Sequence, residues 1–206
     1  MKGRTILGLM VSLTVFGAWS LAVLAQSQRH PTTAEMQKLR QEFRQNIRSI
    51  QNDAQRADYI RDRRNQTELQ NRELFVSTWS KVDSTIAPFV GSWSGWEESI
   101  KIYPSNVRGR VCIIVTGEGY GSFTIGSVSN GQILTNNGQV IFKEGNYLGI
   151  AGVYNNTPIN ALKIPLHSPK LIERITQLSG ITEVKEKNRI IQQFNAAGCT
   201  DSLPRG

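Results

Sequence analysis

A chain of 206 residues, 39% hydrophobic and 19% charged, is long enough for one ordinary core with an appendage. A single long apolar run excludes a polytopic membrane protein, and two cysteines with only His30 and His167 beside them argue against a zinc site. The net charge of +8 is spread thinly and not interleaved with aromatics, which argues against nucleic acid and leaves anionic membrane, cell-wall polymer or acidic protein as basic-surface partners.

The chain opens on Lys2 and Arg4 and then carries no charge until Arg29. Val23-Leu24-Ala25 places compact residues before Gln26, so residues 1–25 read as a secretory signal peptide. Uncleaved, the uncharged stretch over residues 5–25 is long enough to act as a signal anchor. No cysteine follows the cleavage point, which argues against a lipidated N-terminus. In either form the chain is expected to be exported.

Residues 26–87 read as a helical arm. Thr32 and Glu35 form a capping-box pattern at a helix start. Met36, Leu39, Phe43, Ile47, Ile50, Ala54 and Ala57 then recur at the spacing of a coiled-coil seam. A continuous helix over 33–72 would be about 60 Å long. So narrow a seam needs a cover, either a protein partner, a second copy of the chain, or the region that follows. Arg40, Arg44 and Arg48 fall at i, i+4 and i+8 as a basic stripe, either a docking surface for an anionic membrane or polymer or a solvated face diluted by Glu42 and Asp53.

Residues 88–168 read as an antiparallel β-domain. Seven strands are expected at 93–103, 111–115, 120–125, 133–134, 140–142, 147–154 and 159–166. Asn136-Asn137-Gly138 and Asn155-Asn156-Thr157-Pro158 supply tight turns. A seven-stranded meander or small β-barrel follows. Residues 169–206 read as two short helices packed on it, one begun by Ser168-Pro169 and stopped by Gly180, the other carrying Val184, Ile190, Ile191 and Phe194 and stopped by Gly198. The fold class is therefore α+β.

Val111–Val115 is apolar on both sides, so the strand must be covered on both. A disulfide between Cys112 and Cys199 would pin the last helix over one of those sides, and export would let the bond persist.

The sequence offers little chemistry. His30 lies in the leader, and His167 with Ser168 and Glu173 is a sequence adjacency, whereas triads are defined by geometry. Glu97-Glu98 are neighbours on a strand and so face opposite sides. Gly117-Glu118-Gly119-Tyr120-Gly121 lacks the lysine and following helix of a phosphate loop. No catalytic residue, metal or cofactor is expected. Trp79, Trp93 and Trp96 bracket the start of the sheet, where they either plug the core or line a pocket for an apolar ligand.

Pro88-Phe89-Val90-Gly91-Ser92-Trp93 resembles the opening of a lipocalin, in which G-x-W starts the first strand and the tryptophan closes the barrel base. That resemblance implies a small apolar-ligand carrier or sensor. The stretch from Gly91 to Leu166, with Ile102-Tyr103-Pro104-Ser105-Asn106 and Glu144-Gly145-Asn146-Tyr147-Leu148-Gly149, resembles exported cyanobacterial proteins of unassigned function. It implies a periplasmic or thylakoid-lumen location. The reading from the residues is a non-enzymatic interaction or assembly protein of an envelope or lumenal compartment; the carrier is the alternative.

Overall fold

The computed structural model describes Ser27, residues 29–96 and residues 98–204. Residues 1–25, which the sequence leads one to expect as a signal peptide or anchor, and Glu97 lie outside the described residues. Among the described residues no helix is long and apolar enough to cross a membrane.

The first helix, α1 (Thr33–Gln51), begins where the capping box places it. The Thr32 hydroxyl accepts from the Glu35 amide and the Glu35 carboxylate accepts from the Thr32 amide. Its apolar face does not project as an arm. Met36, Leu39, Phe43 and Ile47 are buried against Val140, Phe142 and Ala151 of the chain's own sheet, with Phe43 edge-on to Phe142 at 5.1 Å. Nor does the helix run to residue 72. Asp53 accepts from the amides of Gln55 and Arg56, and Asp62 from that of Arg64, so side chains take over the backbone donors that helix continuation would need. A 3₁₀ turn at Ala57–Ile60 follows. A second capping box, Asn65 with Glu68, then starts α2 (Gln66–Val82). The break at 52–65 is thus encoded by three Asx side chains.

Nine strands, two more than the spacing predicts, form one antiparallel sheet: β1 (Gly91–Ser94), β2 (Glu98–Pro104), β3 (Arg110–Gly117), β4 (Tyr120–Ser129), β5 (Gln132–Thr135), β6 (Val140–Glu144), β7 (Tyr147–Tyr154), β8 (Thr157–Asn160) and β9 (His167–Lys170). The order is β8-β7-β6-β5-β4-β3-β2-β1-β9, an open sheet and not a closed barrel. The expected strand 93–103 is two strands, because the Gly95 amide donates to the Glu98 carbonyl at 2.8 Å and folds the chain into a hairpin. The expected strand 159–166 keeps ladder pairing only to Asn160, and an isolated bridge ties Leu166 to Leu148 of β7. Ser168-Pro169 does not start a helix but belongs to β9, which lies antiparallel to β1. Only a 3₁₀ turn (Ile175–Gln177) precedes α3 (Val184–Ala196), so the first expected C-terminal helix is a single turn.

The turns follow the residues. Asn155 and Asn156 adopt φ of 48° and 60° between β7 and β8, and Gly138 has φ 81° in the β5–β6 turn. Gly91 has φ 141°, and a Cβ there would stand 2.9 Å from the Lys170 carbonyl of β9. The glycine of the G-x-W is thus required by close strand approach.

Strand β3 is buried on both faces as its composition demands. Tyr103 and Phe194 meet edge-on at 5.0 Å beneath α3, and Ile181 and Ile190 close over Gly121. Cys112 and Cys199 stand as a disulfide-capable pair, Cα–Cα 6.0 Å, with their sulfurs at bonding distance.

Candidate functional site

The β1–β2 turn and the 52–65 segment meet at one end of the sheet and build a cleft there. At Gly95 a Cβ would come within 2.7 Å of the Leu166 side chain and 2.8 Å of the Glu98 carbonyl, so the turn is tight. Its tip presents Trp96, which is 56% exposed. The indole lies against the ring of Tyr59, centroids 3.9 Å apart at 55°. Tyr59 is held in place by the 3₁₀ turn, whose neighbour Ile60 is buried.

Beneath the ring pair, strand β9 supplies the floor. His167 Nε2 is 2.8 Å from the Tyr59 carbonyl, and Nδ1 is 2.7 Å from Ser168 Oγ. A carbonyl only accepts, so Nε2 carries the proton and, in the neutral ring, Nδ1 accepts from the Ser168 hydroxyl. Burial holds the His167 pKa below its ordinary value. Arg64 clamps Asp62 through Nε and Nη2 at 2.9 and 2.6 Å and donates from Nη1 to the Pro169 carbonyl at 2.8 Å. That hydrogen-bonded guanidinium holds the Asp62 carboxyl well below the usual carboxylate range. The clamp locks the 52–65 segment to β9.

The rim carries paired charges with one cation in excess: Arg61, Arg63, Arg64 and Lys170 against Asp58, Asp62 and Glu68. Arg61 and Arg63 both pair with Asp58, and Lys170 pairs with Glu68 at 2.7 Å. The cleft encloses about 360 Å³ and is lined by Asp58, Tyr59, Arg61, Arg63, Arg64, Ser94, Gly95, Trp96, His167, Ser168 and Lys170. Of the four cationic side chains in this lining, Arg64 is paired with Asp62 and Lys170 with Glu68, and Arg61 and Arg63 meet the lining's one carboxylate, Asp58. Two guanidiniums share Asp58, so N–H donors outnumber its acceptor sites.

The three tryptophans are not gathered into one pocket. Trp93 is buried, donates from Nε1 to the Phe89 carbonyl at 2.7 Å, and has Arg72 and Lys143 within 5.7 and 5.6 Å of its ring. Burial lowers the Arg72 pKa to about 10. Trp79 is buried beside Phe75 and donates to the Ser202 carbonyl at 3.1 Å. Trp96 alone of the three reaches the Tyr59 cleft.

The basic stripe is divided. Arg40 and Arg44 both turn to Glu144 of β6, at 2.8 and 3.1 Å, and Arg40 also covers the Phe142 ring; Arg48 stays exposed. His30 is fastened to the sheet, its Nε2 2.9 Å from the Thr135 carbonyl. Glu173 does not reach His167 but bonds the amide and hydroxyl of Ser179 and stands 3.7 Å from the buried ammonium of Lys101. Lys101 in turn meets Thr116, Ser99 and the Ser179 carbonyl, an arrangement that fastens the 173–179 segment to β2 and β3.

Tyr59, Arg61, Arg63, Arg64 and Lys170 are absent from the sequence-level site. For Tyr59 and the three arginines the signal is present, however: after Ala57 the seam positions become charged in the run Asp58-Tyr59-Ile60-Arg61-Asp62-Arg63-Arg64, which marks an aromatic-bearing loop. No group of His, Cys, Asp and Glu that could hold a metal occurs among the described residues. No family model, curated protein or solved structure matches this chain.

Proposed function

We propose that this chain is an exported, non-enzymatic interaction or assembly protein that engages an anionic partner through the Tyr59–Trp96 cleft. The observation that carries this reading is an exposed indole, Trp96, backed by the half-buried Tyr59 ring and set beside two guanidiniums that share a single carboxylate. Solvent-facing aromatics beside arginine are the side chains that dominate binding surfaces. A carrier of an apolar ligand has less support, because the indoles of Trp79 and Trp93 are committed to backbone carbonyls within the core. The seam of α1 is spent on the chain's own sheet, which moves the proposed recognition surface from the helix to the cleft. Export rests on the character of residues 1–25 and is compatible with the Cys112–Cys199 pair.

The test is crosslinking and pull-down from native extract with the wild-type chain and with Trp96→Ala and Arg61→Gln/Arg63→Gln. The recovered partner is expected to be lost with either variant, and N-terminal sequencing is expected to begin at Gln26. A partner retained by both variants contradicts the cleft as the recognition surface.

A further inference from the structure

The ligand of this cleft can be narrowed by the chemistry of its walls, on the reading that the cleft is the recognition surface. We infer that it takes an acidic sugar, a carboxylate-bearing pyranose unit of an envelope polysaccharide. Three features of different origin converge on that class.

The first is shape. A concavity of about 360 Å³ is of the size that encloses a small ring or two. Trp96 is held against Tyr59 in the lining of this concavity, which suits a ligand that enters it better than a flat bilayer.

The second is the aromatic pair. Trp96, 56% exposed and backed by the half-buried Tyr59, leaves π surface toward solvent, and a pyranose ring presents polarised C–H groups to such a face. A simple inorganic anion would gain nothing from that surface.

The third is the polar complement. Ser94 and Ser168 line the floor, and their hydroxyl oxygens can accept from sugar hydroxyls. Arg61 and Arg63 stand at the rim with side chains 69% and 66% exposed, able to turn from Asp58 to an arriving carboxylate. A guanidinium matches a carboxylate through two parallel N–H donors, which a neutral sugar cannot use. Arg64, by contrast, is fixed by Asp62 and Pro169 and belongs to the scaffold.

The experiment is a fluorescence titration of the full chain with tetragalacturonate, with maltotetraose as neutral comparator and phosphatidylglycerol vesicles as the lipid arm. Trp96→Ala and Arg61→Gln/Arg63→Gln are titrated in parallel by calorimetry, and their unfolding midpoints are checked against wild type. Arg61→Gln alone replaces the double variant if its midpoint has moved. Tetragalacturonate is expected to bind, to weaken at least about tenfold in each variant, and to weaken as salt is raised. Maltotetraose is expected to bind at least about tenfold more weakly. The inference is overturned if the two sugars bind alike, if the variants bind as wild type does, or if vesicles bind and the oligosaccharide does not. Failure here with a native partner still lost in the same variants overturns the sugar alone; a partner retained by those variants overturns the broader reading as well.

Discussion

The His167 imidazole donates from Nε2 to the carbonyl of Tyr59 at 2.8 Å, so one ring of β9 holds the wall that carries the aromatic pair. This contact joins two segments more than a hundred residues apart and places the cleft under the control of a titratable group. Asp62, Arg63 and Arg64 are the charged groups that act on it, Asp62 raising and the arginines lowering its proton affinity.

Acidification is therefore expected to weaken the fold. A histidine held below its unfolded value of about 6.5 binds fewer protons folded than unfolded, so its contribution is complete above that value. The contribution is lost as pH falls through about 6.5 toward the folded pKa. Urea midpoints taken from pH 7.5 to 5.5 should fall for wild type and stay nearly level in this window for His167→Gln, whose amide can still donate to Tyr59. Equal slopes would remove His167 from this role. Asp62, held low by Arg64, acts in the same direction but only below about pH 4.

Replacing Gly91 should damage the β1–β9 junction. Its φ of 141° lies where side chains are strained, and a Cβ would press on the Lys170 carbonyl. Gly91→Ala is expected to cost about 2 kcal/mol or more, read as a shift of the urea midpoint. A change within about 0.5 kcal/mol would show that β9 can move aside.

The cysteine pair closes an 87-residue separation, which corresponds to about 4–5 kcal/mol in the chain-entropy model. Non-reducing mass measurement of exported protein should find no free thiol. Cys112→Ser/Cys199→Ser should unfold at markedly lower urea. Two free thiols in native material would contradict the pairing.

Truncating the α1 seam should unfold the chain, not merely separate copies of it. Phe43 is 1% exposed and sits edge-on to Phe142, so Phe43→Ala is expected to cost about 3–5 kcal/mol in chemical denaturation. Loss of an oligomer with unchanged stability would return the seam to an intermolecular role.

What could be read in the residues follows from which signals are local. The capping box at Thr32, the doubly apolar β3 and the Asn-rich turns act over a few positions, and each stands where the sequence puts it. The helix expected over 33–72 fails because Asp53, Asp62 and Asn65 cap and stop helices through their side chains, a signal that hydrophobic spacing does not carry. The period-two pattern runs unbroken across Ser94-Gly95, where the chain in fact turns into a hairpin with Trp96 at its tip. The cleft itself joins residues 58–64, 94–96 and 167–170, and only strand order brings those stretches together. Ser168-Pro169 satisfies a helix-start pattern, yet pairing with β1 outweighs that local preference.

The most direct measurement is site-specific photocrosslinking in native extract. A photoreactive residue at Lys170, which lines the cleft with its side chain 47% exposed, is compared with one at Arg48, an exposed site on α1. The cleft account predicts a defined adduct from position 170, reduced by Arg61→Gln/Arg63→Gln, and none from position 48. An adduct from position 48 with none from position 170 would contradict it.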